Sequence, residues 1–369
     1  MTAPSPVTLK PGDTIGILGG GQLGRMLAMA AARLGLRCHV FSPDPDSPAF
    51  DVVLHATCAD YADVEALELF ANDVDMITYE FENVPAAAAM ILAARRPVLP
   101  DRKILETTQD RLAEKDFVKR LGIGIADYAD VSSTPSLRAA IARIGLPAVL
   151  KTRRFGYDGK GQAIIRDGDN PDQIWEDLGT RSAILEAFIP FVCEVSVIAA
   201  RSADGHVECF DVTENEHQDH ILKISRAPAN ISDALAGRAR AIAEKIANAL
   251  NYVGVLAVEM FVVERDGEPE VLVNEIAPRV HNSGHWTLDG SSISQFEQHI
   301  RAIAGWPLGK PVRHGPVTMT NLIGDDITTY EQWLTVPGAA VHLYGKGRPR
   351  PGRKMGHVTQ VGTAPPKTP

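Results

Sequence analysis

The first hundred residues alternate between short apolar runs and longer stretches whose apolar residues repeat at helical spacing. Residues 14–18 and 37–42 are runs of the strand type, and between them apolar residues from Leu23 to Leu34 mark one face of a helix. The alternation continues with predicted helices over 64–72 and 85–94 and predicted strands over 74–81 and 97–99. This pattern predicts a small parallel α/β unit over residues 12–100.

Beyond this unit the strands and helices no longer alternate regularly, which predicts an α+β organisation. The predicted helices cover residues 105–121, 136–144, 171–178, 233–250 and 293–304. The predicted strands cover residues 147–151, 162–166, 183–189, 194–200, 206–212, 255–263 and 270–277. Two later strands, over 317–323 and 340–344, predict a last small unit.

A glycine-rich turn follows the first predicted strand. Residues 19–24 read Gly-x-Gly-x-x-Gly, a helix and a second strand follow, and Asp44 comes about 20 residues after the turn. This is the dinucleotide fingerprint, so a nicotinamide dehydrogenase is one candidate. The same turn serves any ligand that lies on a helix N-terminus, and Gln22 offers an amide hydrogen bond. Glu80, at the carboxyl end of the strand over 74–81, is expected nearby, either beside the ligand or as a cap of the next loop.

A lysine and a glycine-rich loop form the second candidate site. The strand over 147–151 ends in Lys151, and residues 156–162 read Gly-Tyr-Asp-Gly-Lys-Gly-Gln. Glycine lets backbone N–H groups approach an anion closely, and lysine adds a charge for phosphate. The loop is not a Walker A motif, because a strand follows it instead of a helix. A hairpin tip that folds over a nucleoside triphosphate and a solvated turn both remain open.

Two glutamates on neighbouring predicted strands form the third candidate site. If Val263 pairs with Val271, Glu259 lies opposite Glu275 on a face shared with the apolar Val273. Opposed carboxylates repel, so either one is protonated or a cation lies between them, and carboxylate oxygens suit Mg²⁺. A register shifted by one residue would instead place one glutamate in solvent. The polar segment 278–287 follows directly and is predicted to be an active-site loop.

The basic run over 346–354 stands out in a chain of net charge −9, because it carries five cations in nine residues. Its prolines and glycines favour an extended turn and a compact site for one phosphate monoester. Nucleic acid would need a broader basic surface, so no nucleic-acid partner is expected. The sequence contains no apolar run of membrane-spanning length and no signal peptide. Four scattered cysteines without a Cys-x-x-Cys pair favour a cytoplasmic protein.

Five motifs together resemble the ATP-grasp ligases, and specifically the 5-(carboxyamino)imidazole ribonucleotide synthases of purine biosynthesis (PurK type). They are the segments 19–26, 79–85, 156–162, 274–287 and 350–357. The resemblance implies an ATP-grasp fold with an N-terminal pre-ATP-grasp domain over 1–105 and an ATP-grasp domain over 106–308. It also implies a mobile lid near 123–190 and a small β-rich domain over 309–369. It further implies that ATP and bicarbonate carboxylate 5-aminoimidazole ribonucleotide through carboxyphosphate.

The resemblance also assigns site residues. The ATP-binding set is Arg111, Lys151, Gly156, Tyr157, Asp158, Gly159, Lys160, Gly161, Gln162, Glu186, Ala187, Phe188, Ile189, Glu194, His217, Asn274 and Glu275. The ribonucleotide set is Gln22, Leu23, Glu80, Arg279, His281, Asn282, Ser283, His285, Lys346, Arg353 and Lys354. Glu259 and Glu275 are expected to hold Mg²⁺, which Mn²⁺ can replace, and Asp158, Arg279 and Lys354 are the catalytic candidates.

Alternatives remain at this point. A formate-using glycinamide ribonucleotide transformylase would share the ATP clamp and the phosphate site but should differ over residues 279–287. A nucleotide sensor that binds ATP without turnover would share the same motifs. The resemblance implies a homodimer. It also implies a further C-terminal helical segment in the family, from which the given sequence departs because it stops soon after residues 356–357.

Overall fold

The structure is a computed structural model that describes residues 8–156 and 159–362. Over these residues the strands form one parallel and two antiparallel sheets. The predicted site residues Tyr157 and Asp158 lie outside the described part of the chain. Within that part, no helix has the length and apolarity needed to cross a membrane.

The N-terminal unit is a four-stranded parallel sheet in the order β3-β2-β1-β4, as the alternating pattern predicts. Its strands are β1 (Thr14–Leu18), β2 (Arg37–Ser42), β3 (His55–Cys58) and β4 (Met76–Tyr79), and its helices are α1 (Gln22–Arg33), α2 (Val64–Asn72) and α3 (Ala86–Ala93). The sequence did not predict β3, because this mostly exposed edge strand lacks an apolar run. The predicted strand over 97–99 is reduced to a single bridge between Val98 and Ile77.

Two helices replace the single helix predicted over 105–121. α4 (Arg102–Thr108) and α5 (Arg111–Arg120) are separated at Asp110, whose side chain accepts hydrogen bonds from the backbone N–H groups of Leu112 and Ala113. A helix needs such a cap for its first donors. The prediction was wrong because Asp110 is a cap rather than an interior residue, and the break places Arg111 in the first turn of α5.

A second four-stranded sheet, which we call the lid sheet, has the order β5-β8-β6-β7. It consists of β5 (Tyr128–Val131), α6 (Thr134–Ile144), β6 (Ala148–Thr152), β7 (Gln162–Ile165), α7 (Pro171–Leu178) and β8 (Ala183–Ala187). Leu137 of α6 is buried with Leu150 and Leu185 of the sheet. The predicted hairpin is confirmed, because Lys151 pairs with Gln162 across its two strands.

The largest sheet has its strands in the order β14-β13-β9-β11-β12-β15-β17-β16, with β10 beside β9. They are β9 (Cys193–Arg201), β10 (Val207–Cys209), β11 (Thr213–Gln218), β12 (Ile221–Ala227), β13 (Gly254–Arg265), β14 (Glu268–Ala277), β15 (Val317–Ile323), β16 (Ala339–Leu343) and β17 (Lys354–Val361). The helices of this region are α8 (Asp233–Ala249), α9 (Thr287–Gly290), α10 (Gln295–Ile303) and α11 (Tyr330–Leu334).

Alternate residues of the central strands enter different cores, as the two-residue period of a strand requires. Leu256 and Val258 pack in the core that contains α8, whereas Val255 and Ala257 pack in the core that contains α10 and α1. The core around α10 therefore joins the N-terminal unit to the large sheet. The contact brings the carboxyl end of β4 towards β13 and β14.

A buried histidine also bridges the two units. The Nδ1 atom of His299 accepts the Val255 N–H at 3.1 Å, so its Nε2–H donates to the Thr78 hydroxyl at 2.8 Å. Burial lowers the pKa of His299 from 6.5 to about 3. The imidazole is therefore neutral in the folded protein at any pH above that value.

We expect this histidine to make folding stability depend on pH. Between pH 6.5 and about 3 the unfolded chain protonates His299 and the folded chain does not. Its contribution is therefore complete above the unfolded pKa and falls with pH by up to about 1.4 kcal/mol per pH unit. In the variant His299→Gln this group no longer titrates, so the free energy of unfolding from urea titrations should fall less steeply with pH across the acidic range. An unchanged slope would contradict the assignment.

Candidate active site

A cleft of about 600 Å³ lies where the carboxyl edge of the N-terminal sheet meets the lid sheet and strands β13 and β14. Many residues from distant parts of the sequence line it. Those singled out from the sequence are Gln22, Leu23, Glu80, Arg111, Lys151, Gly156, Gly159, Lys160, Gln162, Phe188, Glu194, His217, Glu259, Asn274, Glu275, Arg279, His281, Asn282 and Lys354. The three-dimensional structure thus gathers members of both predicted sets around one space.

Other predicted site residues lie behind or beside this lining. They are Gly161, Glu186, Ala187, Ile189, Ser283, His285, Lys346 and Arg353. Ser283 and His285 are fully buried, and His285 packs against Tyr344 and His357. Asn282 does reach the cleft, but its side-chain amide is paired with the amide of Asn321 through two hydrogen bonds of 3.0 and 2.7 Å.

The two glutamates are opposite each other, although the register is not the one predicted. Val271 pairs with Val262 rather than with Val263, and a β-bulge between Glu259 and Met260 restores the pairing of Glu259 with Glu275. Two residues of β14, Asn274 and Glu275, occupy the bulge, because Met260 pairs with Val273. The expectation that Val273 shares the glutamates' face is wrong, since Val273 is buried with Met260 in the core beneath α8.

Each glutamate has its own partner, which offsets the repulsion that the sequence predicted between the two carboxylates. Arg111 donates to Glu275 at 2.9 Å, and the Nε2 atom of His281 lies 2.9 Å from Glu259. Burial alone would raise the pKa of Glu259, but the His281 ring opposes this and the pKa lies below its usual range. Glu259 can therefore be ionised in the cleft, opposite the Glu275 carboxylate that Arg111 holds.

The oxygen atoms of Glu259, Glu275 and Asn274 are of the kinds that bind a hard divalent cation. No cluster of three or more histidine, cysteine, aspartate or glutamate side chains with metal-binding geometry occurs within residues 8–156 and 159–362. Next to Glu275 in β14, however, the Oδ1 atom of Asn274 is buried and has no hydrogen-bond partner among the described residues. Two carboxylates and one amide oxygen are the ligand types that Mg²⁺ accepts, with water and phosphate completing its shell. The residues present therefore fit Mg²⁺.

A buried charge cluster lies beneath the lid end of the cleft. The Glu186 carboxylate is 2.9 Å from the Lys151 ammonium and 3.5 Å from that of Lys115. Burial tends to raise the pKa of Glu186, but the two lysines hold it at about 2. Burial lowers the pKa of Lys151, and Glu186 partly opposes that effect. Glu186 thus keeps Lys151 positioned at the cleft, where an anionic ligand can reach it.

The glycine turn after β1 binds a carboxylate of the chain itself. Gly21 N–H donates to one oxygen of Glu80, and Gly24 N–H donates to the other at 2.6 Å. A Cβ atom at Gly19 or Gly21 would overlap Glu80, and one at Gly20 would overlap Ser47. The position that a dinucleotide pyrophosphate would take is therefore filled. This geometry contradicts the dehydrogenase alternative, although the fingerprint itself is present.

Substituting Glu80 should expose how much these two hydrogen bonds contribute. In Glu80→Gln the side-chain NH₂ group faces a backbone N–H, so one buried donor loses its acceptor. We expect a loss of about 1–3 kcal/mol in the free energy of unfolding, measured by denaturant titration. The control Glu65→Gln changes an exposed glutamate of α2. Equal stability of the two variants would show that the Glu80 bonds contribute nothing.

An ion pair between units shapes the other end of the cleft. The Arg279 guanidinium donates to both oxygens of Glu82, and the pKa of Arg279 is raised because this pairing outweighs the effect of burial. From the basic run, Lys354 reaches the cleft, and Lys346 donates to the Lys354 carbonyl at 2.9 Å. The positive charge of Lys346 also lowers the pKa of Glu80, although burial raises it overall.

Sequence reasoning overlooked several residues at the cleft. Glu82, Glu114 and Arg153 line it, and Lys115 lies directly beneath it. Burial and the charge of Glu275 raise the pKa of Glu114 to about 8. A signal was available for Lys115, because it follows Arg111 by four residues and such residues share one helix face. No comparable signal identified Arg153, which pairs with Asp110 at 2.8 Å.

Three family models match the chain one after another. The ribonucleotide synthetase preATP-grasp domain matches residues 13–109, the ATP-grasp domain matches residues 116–296, and the phosphoribosylaminoimidazole carboxylase C-terminal domain matches residues 317–368. These matches agree with the fold built above from an N-terminal parallel sheet, a lid and a large antiparallel sheet.

Individual proteins are similar over almost the whole chain. The N5-carboxyaminoimidazole ribonucleotide synthase of Brucella melitensis is 51% identical over 356 residues, which cover 96% of this chain and 98% of the relative. The bifunctional purine synthesis protein purC/E of Dictyostelium discoideum is 44% identical over 97% of this chain, which spans 38% of that longer protein. The N5-carboxyaminoimidazole synthase of Aspergillus clavatus, solved with ADP and 5-aminoimidazole ribonucleotide, has a TM-score of 0.87 and 32% identity, with 95% of this chain and 94% of that chain covered.

Proposed function

The chain belongs to the N5-carboxyaminoimidazole ribonucleotide synthase family of ATP-grasp ligases, and from this we propose how its cleft couples ATP cleavage to carboxylation. The enzyme is an ATP-dependent carbon–nitrogen ligase of purine biosynthesis that carboxylates 5-aminoimidazole ribonucleotide. The carboxyl donor is bicarbonate in this proposal. One cleft must then hold a nucleoside triphosphate, bicarbonate and a ribonucleotide at the same time.

The reaction proceeds in two transfers. A bicarbonate oxygen attacks the γ-phosphorus of ATP, the bond to the β-phosphate oxygen breaks, and ADP and carboxyphosphate form. The exocyclic amine of the ribonucleotide then attacks the carboxyl carbon, phosphate leaves, and the amine loses one proton. Release of CO₂ from carboxyphosphate inside the closed cleft, followed by the same attack, leads to the same product.

The observation that carries the proposal is the meeting of opposite charges in one cleft. Glu259 and Glu275 face each other across the β13–β14 pair, and Arg111 and Lys151 lie at the lid end. The cations bind phosphate oxygens, whereas the carboxylates require a metal ion to approach the same phosphates. This combination is expected for phosphoryl transfer and has no use in a site that only binds a neutral ligand.

ATP would lie between the lid sheet and strands β13 and β14. Phe188, Glu194 and His217 line that part of the cleft. Burial lowers the pKa of His217, but its hydrogen bond to Glu194 raises it overall. The glycine loop that follows Lys151 would close over the phosphates and exclude water from carboxyphosphate.

Glu259, Glu275 and the Asn274 amide oxygen would hold Mg²⁺, with Mn²⁺ as a replacement. When bound, the ion neutralises charge on the transferred phosphoryl group. The chain's own contribution is to keep these oxygens together: the bulge fixes Asn274 beside Glu275, and Arg111 fixes the Glu275 carboxylate.

The ribonucleotide would lie at the N-terminal end of the cleft. Gln22 and Glu80 would contact the sugar, and Lys354 with its neighbours Lys346 and Arg353 would bind the 5′-phosphate. Arg279, held by Glu82, is the candidate for orienting bicarbonate. Asp158, which lies outside the described residues, is the candidate for the amine, and no geometry is assigned to it.

The proposal is tested by measuring ADP release with Mg²⁺ while each substrate is withheld in turn. We expect ADP formation to require both 5-aminoimidazole ribonucleotide and bicarbonate and to yield an acid-labile product. ADP release that depends on formate and glycinamide ribonucleotide would instead indicate the transformylase. Folded protein that releases no ADP under any of these conditions would contradict the proposal and favour the nucleotide sensor.

The assembly is part of the proposal as a cytoplasmic homodimer. An apolar side chain, Leu54, is 81% exposed directly before the edge strand β3. Exposed apolar surface beside an open strand edge is a common place for subunit contact. Light scattering should report twice the mass of the chain, and Leu54→Asp should lower that mass if this edge forms the interface.

A further inference from the structure

Behind the acidic pair, a line of buried polar side chains runs through the large sheet. The Asn215 amide donates to the Ser196 hydroxyl at 2.9 Å, and the Ser196 hydroxyl donates to the Ser283 hydroxyl at 2.7 Å. The Ser283 hydroxyl lies 2.9 Å from the Nδ1 atom of His281. The Nε2 atom of the same ring lies 2.9 Å from the Glu259 carboxylate.

From this line we propose that Ser283 and Ser196 are positioning residues that hold His281 as a hydrogen-bond donor to Glu259. The proposal rests on the function proposed above, because it gives the line a purpose at the ATP and metal end of the cleft. It assigns neither serine a contact with substrate. It replaces direct ribonucleotide binding, the role that the resemblance implied for Ser283.

The direction of the hydrogen bonds follows from the donors at hand. The Ser283 hydroxyl already accepts from Ser196, so its own proton is available for the Nδ1 atom of His281. The backbone N–H of Ser283 also points at that Nδ1 atom, at 3.3 Å. A backbone N–H can only donate, so Nδ1 is an acceptor whichever way the Asn215 amide is oriented. The ring proton must then be on Nε2, which faces Glu259.

Burial makes this arrangement hard to replace. Ser196 and Ser283 are fully buried, and Asn215 is 7% exposed. Bulk solvent does not reach these side chains, so a lost partner leaves a buried polar atom unsatisfied. The oxygen of the Asn215 amide is also occupied, because the Ser225 hydroxyl donates to it at 2.8 Å. The line is thus satisfied from end to end, as a buried polar network must be.

The backbone around His281 is fixed by a second contact. The buried Gln295 side chain accepts from the His281 N–H at 2.9 Å and donates to the His281 carbonyl at 2.7 Å. Gln295 therefore fixes the backbone of His281, and the Ser283 hydroxyl, supported by Ser196, holds the ring with Nδ1 as an acceptor and Nε2 towards Glu259. A donor placed in this way holds one oxygen of the Glu259 carboxylate, a group that lines the cleft, and leaves the second oxygen for a metal ion or substrate.

The first test reads the tautomer of His281 in the substrate-free protein. Long-range proton–nitrogen NMR spectra of protein labelled at histidine distinguish the two neutral tautomers, and His281→Gln assigns the signal. In spectra recorded with the ring neutral, we expect the Nε2–H tautomer in the native protein and a shifted Nδ1 resonance in Ser283→Ala, which loses the hydroxyl donor. A neutral ring that carries its proton on Nδ1 in the native protein would overturn the proposal.

The second test compares kinetics in matched variants. Ser283→Ala should lower kcat about 10-fold, which is the lower end of the range for residues that position a ligand-binding side chain. The KM for 5-aminoimidazole ribonucleotide should change less than about 2-fold. Ser196→Ala should have a smaller effect, because the Ser283 hydroxyl can still donate to His281. The control Ser291→Ala removes a buried hydroxyl that has no hydrogen-bond partner within residues 8–156 and 159–362, so its kcat should not change.

The outcomes separate this inference from the proposed function. A native protein with the Nε2–H tautomer but no ligase turnover would contradict the function and leave the positioning intact. Turnover that is unchanged in Ser283→Ala would contradict the positioning role and leave the function intact. If Ser283→Ala fails to fold, Ser196→Ala provides the same comparison, and an Nδ1 resonance that does not move in it together with unchanged kcat would overturn the inference.

Discussion

Replacing Glu275 by glutamine is expected to lower kcat for ADP formation by at least about 10²–10³-fold, the size of losing one electrostatic contact to a transition state. The amide keeps the shape of the carboxylate and one oxygen that can accept from Arg111, which donates to the native Glu275 carboxylate at 2.9 Å. It removes the negative charge that attracts Mg²⁺ to the γ-phosphate. The KM for ATP should rise as well, because the metal–nucleotide complex loses one ligand.

The matched control for this variant is Glu268→Gln, which changes an exposed glutamate of the same strand, β14. It should leave kcat and KM unchanged, since surface charges far from a site contribute little. Thermal unfolding of both variants checks that folding is intact. If Glu275→Gln turns over at the rate of the control, Glu275 does not hold the metal and the account of the acidic pair is wrong.

The largest effect on stability is expected for Glu186→Gln. Its carboxylate compensates two buried cations, because Lys115 is 2% exposed and the Lys151 side chain is 14% exposed. Removing one partner of a buried ion pair leaves an uncompensated charge and costs about 3–5 kcal/mol. We expect the unfolding free energy of the lid region to fall by about that amount, measured by denaturant titration with hydrogen exchange to locate the loss.

A graded series tests the cause of this loss. Lys115→Met removes one cation and leaves the Glu186–Lys151 pair, so it should destabilise less than Glu186→Gln. Combining the two substitutions should cost less than the sum of the single effects, because Glu186→Gln then leaves only one buried lysine without a counter-charge. Strict additivity would mean that the three side chains do not act as one cluster.

The acidic pair shows which parts of a site a sequence can predict. The two-residue period of strands and the repulsion of opposed carboxylates were enough to place Glu259 opposite Glu275. The predicted register was nevertheless one residue off, and the pairing is preserved by the bulge at Asn274 and Glu275. A bulge depends on how two strands twist against their neighbours, so the sequence of one strand does not specify it.

The glycine turn shows how local sequence can predict geometry but not the ligand. Residues 19–24 do form a turn that offers N–H groups at a helix N-terminus, as the fingerprint requires. The group that accepts them is Glu80, more than fifty residues later in the chain. Because that contact depends on how β4 aligns beside β1, only the folded chain shows that the turn is occupied.

Elements without apolar periodicity were the ones that the sequence did not predict. Strand β11 reads Thr-Glu-Asn-Glu-His-Gln, and its last three residues are exposed, so neither alternation nor an apolar run marks it. Its hairpin with β12 is held by main-chain pairing to neighbouring strands. Ser196 was missed for the same reason, and Ser283 was predicted to bind the ribonucleotide rather than to lie buried behind His281, since a polar residue in a polar motif gives no sign that it faces inward.

The most direct test of the central claim, that one cleft joins ATP cleavage to carboxylation of the ribonucleotide, follows the atoms of bicarbonate. The enzyme is given ATP, Mg²⁺, 5-aminoimidazole ribonucleotide and bicarbonate labelled with heavy oxygen, and phosphate and product are analysed by mass spectrometry. The account predicts one heavy oxygen in each phosphate released and the remaining label in the acid-labile carboxylated product. Unlabelled phosphate formed together with ADP would show that water, rather than bicarbonate, receives the phosphoryl group, and would contradict the account.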